Sequence, residues 1–118
     1  MAFGFPAYHS KAFTNEFSQD DNFRLVLFCM NQLNWKTIRL GIKGIIGRTS
    51  TGFMSTGEEV TFLIKDQEIF LRSACHIPSQ VIDFGKNKKN VVAFNEVFHQ
   101  YSNQEKYSEW ITYSEVED

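Results

Sequence analysis

Apolar positions along the chain change their period several times, and each change marks an element. Phe23, Val26, Leu27, Met30 and Leu33 recur at intervals of three and four. That spacing gathers side chains on one helical stripe, so Gln19 to Asn34 is predicted to lay an apolar face on a core. Ser18 with Asp21 three residues on resembles a capping box, and acidic residues suit a first helical turn. From Trp35 the period becomes two: Ile38, Leu40 and Ile42 alternate with Thr37, Arg39 and Gly41, the mark of a strand with one wet face. Gly41 and Gly44 permit a turn or bulge, and Ile45, Ile46 and Arg48 predict a second strand paired with the first. Thr49 to Gly57 reads as a loop. Val60, Phe62 and Ile64 alternate with polar neighbours, and after a turn at Asp66 and Gln67 so do Ile69 and Leu71, which predicts a hairpin. Pro78 closes the fourth strand. Val91, Val92, Phe94, Val97, Phe98 and Tyr101 return to helical spacing over Lys88 to Tyr101.

Short links between strands favour antiparallel pairing, because parallel pairing needs long crossovers. The expected fold is α+β: a two-layer sandwich with a four-stranded, mostly antiparallel sheet and two helices on one face, in the order α-β-β-β-β-α. Residues 20–101 form its single domain. Residues 1–19 read as an N-terminal arm whose aromatics Phe3, Phe5, Tyr8, Phe13 and Phe17 cover the domain's own sheet or bind a partner. Residues 102–118 read as an acidic polar tail that frays or docks Trp110, Ile111 and Tyr113.

Composition narrows the function classes. The 118 residues are 42% hydrophobic with 12 Phe, enough apolar surface to offset the entropy of ordering the chain. A net charge of −2 and a pI near 5.9 argue against a surface that tracks nucleic acid, so an anion site would have to be local. Met1 to Gln19 lacks the basic start and continuous apolar run of a secretory signal. The longest apolar stretch is interrupted by Arg39, Lys43 and Arg48, too soon to span a bilayer. Two cysteines, Cys29 and Cys75, make neither a disulfide framework nor a metal cage, and a cytoplasmic location is expected.

The most unusual local chemistry is the string Asp83-Phe84-Gly85-Lys86-Asn87-Lys88-Lys89-Asn90. It sets three lysines and two asparagines at the start of the second helix, where free N–H groups and the helix dipole favour an anion. Lys86, Asn87, Lys88, Lys89 and Asn90 are thus the candidate anion-binding residues. The same string also reads structurally, with Gly85 making the turn, Asn87 or Asn90 capping and the lysines solvated. It lacks P-loop spacing. His76 beside Cys75 points to the opposite side of a strand, and His9 and His99 have no ligand spacing, so no metal site is implied. Glu58 and Glu59 cannot face one cleft on a regular strand, while Asp66, Glu68 and Asp83 fall at turns. Ser50, Ser55 and Ser73 sit in no nucleophile elbow. No catalytic residue or cofactor is picked out. Phe70 shares a sheet face with Arg39 and Arg72, either as a stacking platform for a ring or as a half-exposed Phe.

Asn34-Trp35, Gly57-Glu58-Glu59-Val60-Thr61, Arg72-Ser73-Ala74-Cys75 and above all the Asp83 to Asn90 string together resemble a small soluble domain of Bacteroidetes-type bacteria. That domain is sometimes attached to membrane proteins, including rhomboid-like ones. The resemblance covers about residues 20–101, with Phe84 where that family carries Trp, and it implies a cytosolic accessory domain with no activity to transfer. The expected function is a non-enzymatic binding module that recruits a protein or an anionic ligand. Two further readings stand beside it: a small-molecule carrier or enzyme with a pocket lined by Phe28, Phe62 and Phe94, and a structural or dimerising domain with open sheet edges.

Overall fold

The computed structural model describes residues 8–49, 57–75 and 86–113, the last residue of the second stretch by its backbone alone. The chain is α+β, with its strands in one antiparallel sheet. In chain order the elements are β1 (Tyr8–Thr14), α1 (Gln19–Gln32), β2 (Lys36–Leu40), β3 (Gly44–Arg48), β4 (Glu58–Lys65), β5 (Glu68–Cys75) and α2 (Lys86–Tyr101). A short 3-10 turn at Gln104–Lys106 and the single-turn α3 (Tyr107–Trp110) follow. Among the described residues the sheet has five strands in the order β1-β5-β4-β3-β2, not four. The added strand is β1, from the segment expected to be an arm, which pairs along its whole length with β5. Its inward positions are His9, Lys11 and Phe13, of which only Phe13 is buried and apolar. It therefore carries almost no alternating apolar signal.

Local chemistry explains the boundaries of α1. The Ser18 hydroxyl accepts from the Asp21 amide at 3.2 Å, satisfying one of the free donors of the first turn. At the other end Asn34 takes φ 61°, its amide reaches the Asn31 carbonyl at 3.0 Å, and the Trp35 amide reaches Met30 at 2.9 Å. This paired closure uses a left-handed residue just past the helix and turns the chain directly into β2.

Strict alternation organises the sheet. On β4, Glu58, Val60, Phe62 and Ile64 are buried while Glu59, Thr61, Leu63 and Lys65 are exposed. The register aligns Ile64 with Ile69, Phe62 with Leu71 and Val60 with Ser73, so one phase of each strand enters the core. Phe94 of α2 packs on Phe62 with ring centroids 4.9 Å apart, and Phe98 lies 5.2 Å from Phe13. On β3, a Cβ at Gly47 would collide with the Met30 side chain of α1 and stand 2.9 Å from the Lys36 carbonyl oxygen. Only glycine permits that approach. Trp110, fully buried, meets Phe17 edge-on at 5.1 Å and donates its indole N–H to the Tyr101 carbonyl at 2.8 Å. The segment expected to be a tail thus supplies a core residue.

Polar groups tie the β4–β5 turn to the start of α1. The Asp66 carboxylate accepts from the Gln19 amide at 2.7 Å, and Gln19 Nε2 donates to the Ile64 carbonyl at 2.8 Å. Buried Asn22 donates to the Lys65 carbonyl at 3.1 Å and accepts from Asn15 Nδ2 at 2.8 Å. A buried amide satisfied on both sides costs little and fixes one arrangement.

Candidate functional site

Two regions place polar or exposed apolar side chains where the fold alone does not require them. The first is the end of the sheet where β3 stops, β4 starts and α2 begins. Glu58 and Ser73 occupy inward positions on β4 and β5 that hydrophobic residues hold elsewhere, and both are buried, as are Thr49 and Asn87. Glu58 Oε1 accepts from the Thr49 hydroxyl at 3.1 Å and from Asn90 Nδ2 at 2.9 Å. The Thr49 hydroxyl oxygen in turn accepts from the Glu58 amide at 2.8 Å. Ser73 donates to Asn87 Oδ1 at 2.7 Å and accepts from Asn90 Nδ2 at 3.1 Å. A sequestered carboxylate held by an amide and a hydroxyl is a network in which each member depends on the others.

The five candidate residues on α2 are thereby divided. Asn87 and Asn90 turn inward, one onto Ser73 and the other onto both Ser73 and Glu58. Lys88 and Lys89 are exposed and Lys86 is half-buried. Lys88 and Lys89, with Val92, Ala93 and Glu96, border a shallow depression of about 320 Å³. Three of the four segments that carry the resemblance meet here, since Glu58, Ser73, Asn87 and Asn90 come from them; Asn34-Trp35 does not. Asp83 and Gly85 lie outside the described residues, as do His76, Pro78, Ser50, Ser55, Phe3 and Phe5. Glu58 and Ser73 were readable as inward from the phase of their strands. Their partnership with α2 was not, because the contacts span 32 and 17 residues.

The second region is the outward phase of the sheet. The strand registers align Ser10, Arg72, Thr61, Ile46 and Arg39 in one row across the five strands. The neighbouring row runs Ala12, Phe70, Leu63 and Gly44. Residues in register share a face, so Phe70, Arg39 and Arg72 do stand on one side of the sheet, with the two arginines about 14 Å apart at three strand spacings. Leu63 and Phe70 are 41% and 42% exposed, and Tyr8 is half exposed with the Arg72 guanidinium over its ring at 4.8 Å. At the β2 end Ile38, at the register shift, and Ile42 are 51% and 88% exposed, and Leu40, in the inward row with Ile45, is 52% exposed at the sheet edge. Beside them an apolar groove of about 310 Å³ lies between Ile46, Leu63 and the bare Gly44, with Arg39 and Lys43 at its rim.

Elsewhere the chemistry is plain. His9 lies on β1 and His99 on α2, and among the described residues no three of His, Cys, Asp and Glu cluster as metal ligands. Burial raises the Cys29 thiol far above its ordinary range, which keeps it protonated and inert. Phe62 and Phe94 fill the space between them with their own rings, and Phe28 packs on Tyr101 and Tyr113. No described helix is long and apolar enough to cross a membrane. No family model, curated protein or solved structure matches the chain.

Proposed function

We propose that this chain is a non-enzymatic binding module of the cytoplasm, built as a two-layer sandwich in which α1 and α2 cover one face of the sheet and a protein partner docks on the other. The observation that carries this reading is the outward row of half-exposed Phe70 and Leu63 beside Arg39 and Arg72. Large apolar side chains flanked by arginines are the composition of a protein-contact patch. The buried Glu58 network supports the same reading. It spends the asparagines of α2 on holding the helix to the sheet, so the polar end acts as a structural clamp that keeps the outward face rigid. The accessory role implied by the resemblance accords with docking.

A second reading rests on Lys88 and Lys89, which stay exposed at the start of α2 and suit an anionic ligand. One comparison separates the two. Partner capture from native extract is run with the wild type, with the double variant Leu63→Glu and Phe70→Glu, and with Lys88→Glu and Lys89→Glu. The docking reading expects a partner held by the wild type to be lost by the first variant and kept by the second. The opposite pattern overturns it in favour of the anion site.

A further inference from the structure

Two rows of the outward face differ from the rows that flank them. Glu59 stands across from Arg48 and Glu68 across from Lys65 in register, so each outer carboxylate already faces a cation. Between them run the row Ser10, Arg72, Thr61, Ile46, Arg39 and the row Ala12, Phe70, Leu63, Gly44, with no acidic residue in either. Arg39 and Arg72 are exposed, and among the described residues neither makes an ion pair. A chain whose net charge is −2 thus carries a cationic strip around its exposed apolar side chains.

The strip has a fixed layout. Arg39 is on β2 and Arg72 on β5, while Ile46 and Leu63, which wall the apolar groove, are on β3 and β4, midway between them. At about 4.8 Å per strand, the groove lies roughly 7 Å from the strand of each arginine. A Cβ at Gly44 would stand 2.6 Å from the Phe62 carbonyl oxygen, so no side chain fills the groove from there. Cation, groove and cation in steps of about 7 Å match alternate residues of an extended chain, which point to one side at that interval. A second copy of this face would set arginine against arginine with no carboxylate in either strip to offset them. A single-stranded nucleic acid is held by stacking on several rings, and these two rows hold one aromatic, Phe70, with aliphatic Leu63 and Ile46 in the middle.

We infer that this strip binds an acidic segment of a protein partner: an extended stretch that crosses the strands, with one bulky aliphatic side chain in the groove and a carboxylate two residues to either side, one meeting Arg39 and the other Arg72. The residues between these three point to solvent, and the main chain stays hydrated. Glu suits the Arg72 end better than the shorter Asp, because that guanidinium leans over the Tyr8 ring at 4.8 Å. This deepens the docking reading and rests on it, since it names the chemistry of the partner for the same face.

The test is an amide NMR titration of the full chain with three acetylated, amidated peptides at about 20 and 300 mM salt. They are Gly-Ser-Glu-Ser-Leu-Ser-Glu-Ser-Gly, a peptide of the same composition with its two Glu adjacent, and the first peptide with Lys for Glu. The first is expected to give saturable shifts at Ile46, Thr61, Leu63 and Arg72, with a dissociation constant on the order of 1 mM that rises with salt. Arg39→Gln and Arg72→Gln, both at exposed positions, are each expected to weaken it about two- to fivefold, as for exposed ion pairs, while Lys88→Gln leaves it unchanged. Equal binding of the adjacent-Glu or the Lys peptide, or no response to the first, overturns the inference. So does a response of the strip to oligouridylate, or to vesicles of phosphatidylserine and phosphatidylcholine, without a response to the first peptide. Partner capture that is lost with Leu63→Glu and Phe70→Glu but indifferent to Arg39→Gln and Arg72→Gln sinks the acidic-segment assignment and leaves the docking face standing. Peptide binding that depends on both arginines, alongside capture that ignores Leu63→Glu and Phe70→Glu, does the reverse.

Discussion

Among the described residues, two non-glycine residues hold left-handed backbone, Asn34 at φ 61° and Gln67 at φ 64°. Asn tolerates that region and Gln does not, so the strain concentrates in the β4–β5 turn. Gln67→Gly is expected to raise stability by roughly 0.5–1 kcal/mol once the added freedom of the unfolded chain is subtracted, and Gln67→Val to lower it, both read from denaturation midpoints at unchanged slope. Cys29 supplies a pH dependence. Its folded thiol is raised far above the unfolded value by burial, so its contribution is complete below about pH 8.5 and is lost above it as the unfolded state ionises. Stability of the wild type should therefore fall between pH 8 and 10 more steeply than that of Cys29→Ala, by up to about 1.4 kcal/mol per pH unit. At this scale the sequence was legible where partners are local, as with Ser18 and Asp21, and silent where they are distant, as with Asn90 and Glu58.

The elements divide along the same line. Both long helices and the β4–β5 hairpin announce themselves because buried positions repeat at the period of the element, and the structure extends α2 only back to Lys86. Strand β1 escaped notice because its place at the sheet edge asks for one apolar inward residue, Phe13, and lets His9 and Lys11 take the others. The polar clamp was half legible. Glu58 sits in phase with Val60, Phe62 and Ile64, so its inward direction follows from alternation, but its partner Asn90 lies 32 residues away. Asn90→Ala removes a donor from both Glu58 and Ser73. It should cost about 1–3 kcal/mol by leaving a buried carboxylate short of a partner, measured by thermal or denaturant unfolding. Gly47→Ala tests the same inward face on the neighbouring strand, where α1 meets β3. A methyl there meets Met30 and the Lys36 carbonyl, and overpacking should cost about 1–3 kcal/mol.

For the whole molecule, the sheet is polarised. Its inward phase is spent on aromatic packing and on one polar clamp at the α2 end. Its outward phase holds exposed aromatic, aliphatic and cationic side chains. Such a division is reasonable for a domain whose task is to present a rigid surface, and it places the proposed contact face away from the lysines that dominate the sequence pattern. A photo-crosslinking residue placed at position 63, compared with one at position 92 on exposed α2, tests this most directly in native cells. The docking account predicts a discrete adduct from position 63 and none from position 92. Adducts from position 92 alone, or from neither, would contradict it.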